Sequence, residues 1–114
     1  MSDAHDHYYH SADLSRFPDM GKSRPELAEK FFAWYGAVFA DGALSAREKS
    51  LIALAVAHAV QCPYCIDAYS KDALEKGSDL DQMTEAVHVA AAIRGGASLV
   101  HGVQMRNHAT KVGM

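Results

Sequence analysis

The sequence predicts an all-α protein, and three observations carry that reading. Apolar residues recur at the three- and four-residue spacing of one helix face through most of the chain. Alanine is abundant and glycine sparse within those periodic stretches, which suits closely packed helices. The β-branched residues are scattered among the alanines, and no run reads as a strand. At 114 residues the chain makes one domain with a modest core. Its net charge of −3 comes with no basic stripe, so nucleic acid is not an expected partner. No apolar run approaches the length of a membrane span and no secretory signal pattern opens the chain, so a soluble, cytoplasmic protein is expected.

Residues 1–20 are polar, rich in His, Asp and Tyr, and have no sustained period. They read as a flexible arm that orders only against the body or a second subunit, leaving residues 21–114 as the helical domain. His5, His7 and His10 lack a partner cluster and belong to that arm rather than to a metal site. The first helix should run from about Arg24, with Pro25 early in it, to about Ala40. Leu27, Phe31, Trp34, Tyr35 and Val38 give it a stripe for burial in the core or at a subunit contact. Asp41-Gly42 breaks it, and Ser45 with Glu48 forms a capping box that starts the second helix. Leu51 to Val60 is almost wholly apolar, so this helix should be central. A third helix starts at Cys62-Pro63 and runs through Lys76, with Gly77 as its stop. Ser78 should cap a fourth, whose path is marked by Leu80, Met83, Val87, Ala90 and Ala91. Gly95-Gly96 should end or kink it, and a fifth helix covers residues 97–111 with Leu99, Val100, Val103 and Met105. His88, His101 and His108 read as surface or inter-subunit residues. So short a chain, with one helix apolar on every side, needs partners to cover it, and a homo-oligomer is expected.

The chemistry is concentrated in Cys62-Pro63-Tyr64-Cys65, which contains the only two cysteines. Two thiols in this spacing can cycle between dithiol and disulfide. Pro63 at the first helical position places Cys62 at the N-cap and Cys65 in the first turn, where unpaired N–H groups and the helix dipole stabilise a thiolate. A structural disulfide or half of a zinc site are the alternatives; a cytosolic-looking chain with no other cysteine weighs against both. His58 lies four residues before Cys62, within reach of a thiol proton if the helix extends that far. Glu48 is ten residues before His58, and no simple helical face unites them. Tyr69 can donate a hydrogen bond to a thiolate or a departing oxygen, but an ordinary pKa near 10 makes it a poor base.

The run Ser45-Ala46-Arg47-Glu48-Lys49-Ser50-Leu51-Ile52-Ala53-Leu54-Ala55-Val56-Ala57, followed by Cys62-Pro63-Tyr64-Cys65-Ile66-Asp67-Ala68, resembles the carboxymuconolactone decarboxylase superfamily. More closely it is similar to the AhpD-like alkylhydroperoxidase branch, and residues 90–97 resemble that family's glycine-interrupted helix pair. The resemblance implies a compact helical bundle assembled into trimers or hexamers. It also implies a cofactor-free two-cysteine peroxidase in which Cys65 attacks a hydroperoxide and becomes a sulfenic acid. Cys62 then closes the disulfide, and a dithiol or thioredoxin-like donor reduces it. The helix dipole activates Cys62 at least as well as Cys65, whereas the resemblance assigns the attack to Cys65. The chain departs from the pattern at both relay positions, with Tyr69 in place of a histidine and Ser50 in place of a glutamate. His58, Glu48 and Tyr69 are the substitutes at hand. The decarboxylase branch has no need of the cysteine pair. Two competing readings are a soft-ligand protein, holding trivalent arsenic or zinc on Cys62, Cys65 and His58, and a structural subunit with a vestigial pair.

Overall fold

A helix forms where its terminal N–H and C=O groups can be satisfied, and the caps of this chain divide it into its elements. The computed structural model describes residues 10–113. A 3-10 helix over Ser11–Gly21 is followed by α1 (Pro25–Phe39), α2 (Ala46–Ala59), α3 (Pro63–Glu75) and α4 (Leu80–Lys111). Among the described residues there is no strand. No helix there is long and apolar enough to cross a membrane. The described residues are all-α, with five helices, though not the five that the sequence suggests.

The caps account for the agreements. Ser45 and Glu48 form the expected capping box: the Glu48 N–H donates to the Ser45 hydroxyl at 3.0 Å, and the Ser45 N–H to the Glu48 carboxylate at 2.8 Å. Gly77, at φ 92°, stops α3 with the Ser78 N–H on the Ala73 carbonyl and its own N–H on that of Leu74.

Three expectations are corrected. The cap of α4 is Asp79 rather than Ser78; its carboxylate accepts from the Gln82 N–H, and Gln82 answers on the Asp79 N–H. Ser78 is instead buried. Gly95 and Gly96 do not break the chain, and α4 runs unbroken for 32 residues. A glycine inside a helix costs only about 1 kcal/mol relative to alanine. Neither glycine takes the positive φ that a stop would use. The third correction concerns α1, none of whose residues is buried in this chain. Leu27, Phe31, Trp34 and Val38 stay exposed, Trp34 at 64 %.

The 3-10 helix, whose residues 11–20 read from sequence as part of the arm, lies against α1 and α3. Leu14, Phe17 and Met20 recur every three residues, the period of a 3-10 helix, and neither a helical nor a strand pattern detects it. Phe17 packs edge-on to Phe32, with ring centroids 4.9 Å apart, and to Phe31 at 6.2 Å. His10 precedes this segment, while His5 and His7 lie outside the described residues.

Helix α2 is central, with α3 and α4 both packed on it and α1 touching it more lightly. The buried apolar set is small: Leu54, Ala57, Ala73, Met83 and Ala90. Leu51 and Tyr69 pack against it, and Ser50 is fully buried with its hydroxyl donating to the Arg47 carbonyl at 2.6 Å.

Candidate thiol site

The site is built at the junction of α2 and α3. Helix α2 ends in a paired backbone motif, with the Cys62 N–H on the Ala57 carbonyl (3.0 Å) and the Gln61 N–H on that of His58 (3.2 Å). The motif requires a left-handed residue, and Gln61 supplies it at φ 57°, where glycine is the usual occupant. The chain turns so sharply there that Cys62 becomes the N-cap of α3, with Pro63 first in the helix. The Cys62 sulfur accepts the Cys65 N–H at 3.2 Å. Cys62 and Cys65 are joined as a disulfide, their Cα atoms 5.2 Å apart. The N-cap geometry expected from Cys62-Pro63 is therefore present, and its hydrogen bond falls on Cys62.

Two largely apolar cavities meet at this pair. One, of about 410 Å³, lies between α1 and α2 and is walled by Phe39, Leu44, Ile52 and Val56 among others. The second, of about 320 Å³, lies beneath the 3-10 helix, which contributes Leu14 and Phe17. Cys65 lines both cavities, whereas Cys62 lines only the second. Tyr35 and Tyr69 also line both.

Tyr69 follows Cys65 by one turn of α3, so both side chains share a face. Its hydroxyl is hydrogen-bonded to that of Tyr35 on α1. Its ring stacks on Phe39, with centroids 5.2 Å apart. Burial holds the Tyr69 phenol well above the ordinary tyrosine pKa. At neutral pH it is a proton donor.

The other two sequence candidates lie elsewhere. His58 donates from Nδ1 to the Leu54 carbonyl, 2.8 Å away on its own helix; this fixes the neutral tautomer with Nε2 as the acceptor. Its ring lines a groove against α4, beside Val87, Ala91 and Arg94. Glu48 is exposed and engaged in the capping box, and the Ser45 backbone and hydroxyl hold its carboxyl below the ordinary glutamate pKa. Ten residues of helix separate Glu48 from His58, about 15 Å along the axis. Among the described residues no three His, Cys, Asp or Glu side chains converge as a metal site.

Two residues at the site are given no site role by the sequence reading. Tyr35 appears there only as one position in the α1 stripe, and 34 residues separate it from Tyr69. Lys49 lines the larger cavity and donates to the Val38 and Ala40 carbonyls at 2.7 and 2.6 Å, closing the open C-terminal end of α1. No local pattern marks either one, because each acts on a different helix.

The model of the carboxymuconolactone decarboxylase family matches residues 25–105, which include α1, α2, α3 and most of α4. The chain belongs to that family. An "Uncharacterized protein 4 in cox locus" of Paracoccus denitrificans is 43 % identical over 83 residues, covering 73 % of this chain and 75 % of that protein. Two solved structures share the fold. A carboxymuconolactone decarboxylase family protein from Legionella pneumophila superposes with a TM-score of 0.68 at 32 % identity, covering 82 % of this chain and 84 % of its own. A protein from Methanobacterium thermoautotrophicum gives 0.66 at 35 % identity, with 82 % and 97 % covered. In this carboxymuconolactone decarboxylase family member, Cys65 shares both cavities with the Tyr35–Tyr69 pair.

Proposed function

We propose that the protein is an AhpD-like thiol peroxidase that reduces alkyl hydroperoxides at Cys65 and is returned to the dithiol form by a dithiol or thioredoxin-like donor. One observation carries this reading: Cys65, in the first turn of α3, opens onto two apolar cavities together with a phenol held in its protonated form. An apolar wall admits the organic part of a hydroperoxide, and the phenol meets the one polar demand of the reaction.

The Cys65 thiolate attacks the terminal peroxide oxygen. The S–O bond forms, the O–O bond breaks, and an alkoxide departs. The alkoxide is more basic than a phenolate, so it takes the Tyr69 proton and leaves as the alcohol. The phenolate, a stronger base than a thiolate, then takes the Cys62 thiol proton. The Cys62 thiolate, favoured by its N-cap hydrogen bond, attacks the Cys65 sulfenic sulfur and expels hydroxide, which solvent protonates to water. Two electrons pass from the sulfurs to the peroxide, and the donor restores them. Tyr69 is preferred to His58 as the proton source because the His58 ring is bonded to Leu54 and lies in the groove against α4. Glu48 has no part in this reading, since its carboxylate caps α2.

Stopped-flow oxidation of the reduced protein, followed by intact mass, tests the proposal. An alkyl hydroperoxide should convert it to the intramolecular disulfide, with loss of two hydrogens. Cys65→Ser should abolish the reaction and Tyr69→Phe should slow it about 100-fold. Slowing in His58→Ala instead would move the proton role to the histidine. Thiols inert to hydroperoxide would overturn the peroxidase reading.

A further inference from the structure

We propose that Tyr35 is a positioning residue of the thiol site: its hydroxyl donates to Tyr69, so that the Tyr69 proton stays free for the oxygen leaving the peroxide. The proposal rests on the peroxidase reading and goes beyond it by assigning a residue on another helix to the reaction.

The argument is one of hydrogen-bond accounting. Two hydroxyls bonded to one another use one of their two protons within the pair and leave the other for an outside acceptor. Both rings line both cavities, and so does Cys65. In the larger cavity the remaining cationic side chain, Lys49, is bonded to the Val38 and Ala40 carbonyls. The tyrosine pair is therefore the proton source facing that space. Alone, the Tyr69 O–H would rotate about its C–O bond in a cavity whose walls are largely apolar. With Tyr35 donating, the Tyr69 oxygen has its acceptor site filled and its own proton aimed away from Tyr35. When that proton has gone to the alkoxide, the same Tyr35 O–H remains as a donor to the phenolate, a charge-assisted bond stronger than the neutral one it replaces. The pair thus stabilises the state formed as the O–O bond breaks more than the state before it.

The rings are held independently of the hydroxyls. Tyr35 lies between Phe31 and Phe39, at centroid distances of 5.5 and 4.9 Å, and Tyr69 stacks on Phe39. Removing the Tyr35 oxygen alone therefore leaves the packing in place.

The choice of peroxide separates positioning from structure. An alkyl hydroperoxide expels a strongly basic alkoxide, which needs a proton. A peroxy acid expels a carboxylate, which does not. Tyr35→Phe should slow Cys65 oxidation by the alkyl hydroperoxide about tenfold and leave the peroxy-acid rate within about twofold of wild type. In the double variant with Tyr69→Phe, the rate should be no lower than in Tyr69→Phe alone, because the first hydroxyl acts through the second. Equal slowing with both oxidants would make Tyr35 structural and overturn the inference, as would an unchanged alkyl hydroperoxide rate. A wild-type protein inert to both oxidants would remove the peroxidase reading itself, and this inference with it.

Discussion

Tyr69 shows how a residue's surroundings set its chemistry. From sequence it is a phenol of ordinary acidity on a helix face. In the fold it is packed against the core, stacked on Phe39 and bonded to Tyr35, and burial raises its pKa. The raised value makes a stability prediction. The folded state holds the Tyr69 proton more tightly than the unfolded chain does. Stability is therefore unaffected below the ordinary tyrosine value of about 10 and falls as pH rises above it. Urea midpoints measured across the alkaline range should decline above that pH in wild type and decline less steeply in Tyr69→Phe; parallel curves would contradict the assigned burial. The cysteine pair was legible in the sequence, because a C-x-x-C spacing and a following proline act within one turn of chain. The Tyr35–Tyr69 bond was not, because nothing in either residue's neighbourhood announces a partner on another helix.

At the scale of elements, the junction between α2 and α3 decides where the sulfurs point. Gln61 takes a left-handed conformation that costs a side-chain-bearing residue roughly 1–2 kcal/mol. At the equivalent position after α3 the chain has Gly77, in the same motif and without that penalty. Gln61→Gly should therefore stabilise the protein by about 1 kcal/mol in urea unfolding, partly offset by the entropy of the added glycine in the unfolded chain. Gly77→Ala should destabilise it by a similar amount. A loss of stability in Gln61→Gly would show that the Gln61 side chain contributes more than its backbone costs. Helix starts were readable to within a residue at α1, α2 and α3, since proline, the capping box and the N-cap cysteine all act locally. Gly95 and Gly96 misled because glycine punctuates a helix only where the backbone needs positive φ, and here it does not.

At the scale of the molecule, surface area is the dominant observation. The chain exposes 8661 Å², against roughly 6,100 Å² for a compact monomer of its mass. Large apolar side chains lie on that surface. Beyond Arg94, α4 has no buried residue, and Leu99 is 81 % exposed, with Val100, Val103 and Met105 also open. On α1, Leu27, Trp34 and Val38 are likewise exposed. These faces are the surface available to the homo-oligomer expected from the sequence, since an excess near 2,500 Å² per chain is about 5,000 Å² for a pair, the upper end of what obligate interfaces bury. Light scattering coupled to size exclusion should give a multiple of 12.4 kDa, reduced towards the monomer in a Leu99→Asp, Val103→Asp variant. A wild-type mass of one chain would refute the assembly.

Local physics was enough to determine the all-α class, the three helix starts, the pairing of Cys62 with Cys65 and the N-cap placement of Cys62, because caps, periodicity and turn residues act over a few positions. Tertiary structure alone decided that Tyr69 meets Tyr35, that His58 faces α4, and that Glu48 is occupied as a cap at the far end of α2. The 3-10 helix over the second cavity also emerged only there, since its period of three is stable only against the aromatic rings it covers. Each of these depends on which helix faces which, and that is set by the burial of Leu54, Ala73 and Met83 together rather than by any one segment.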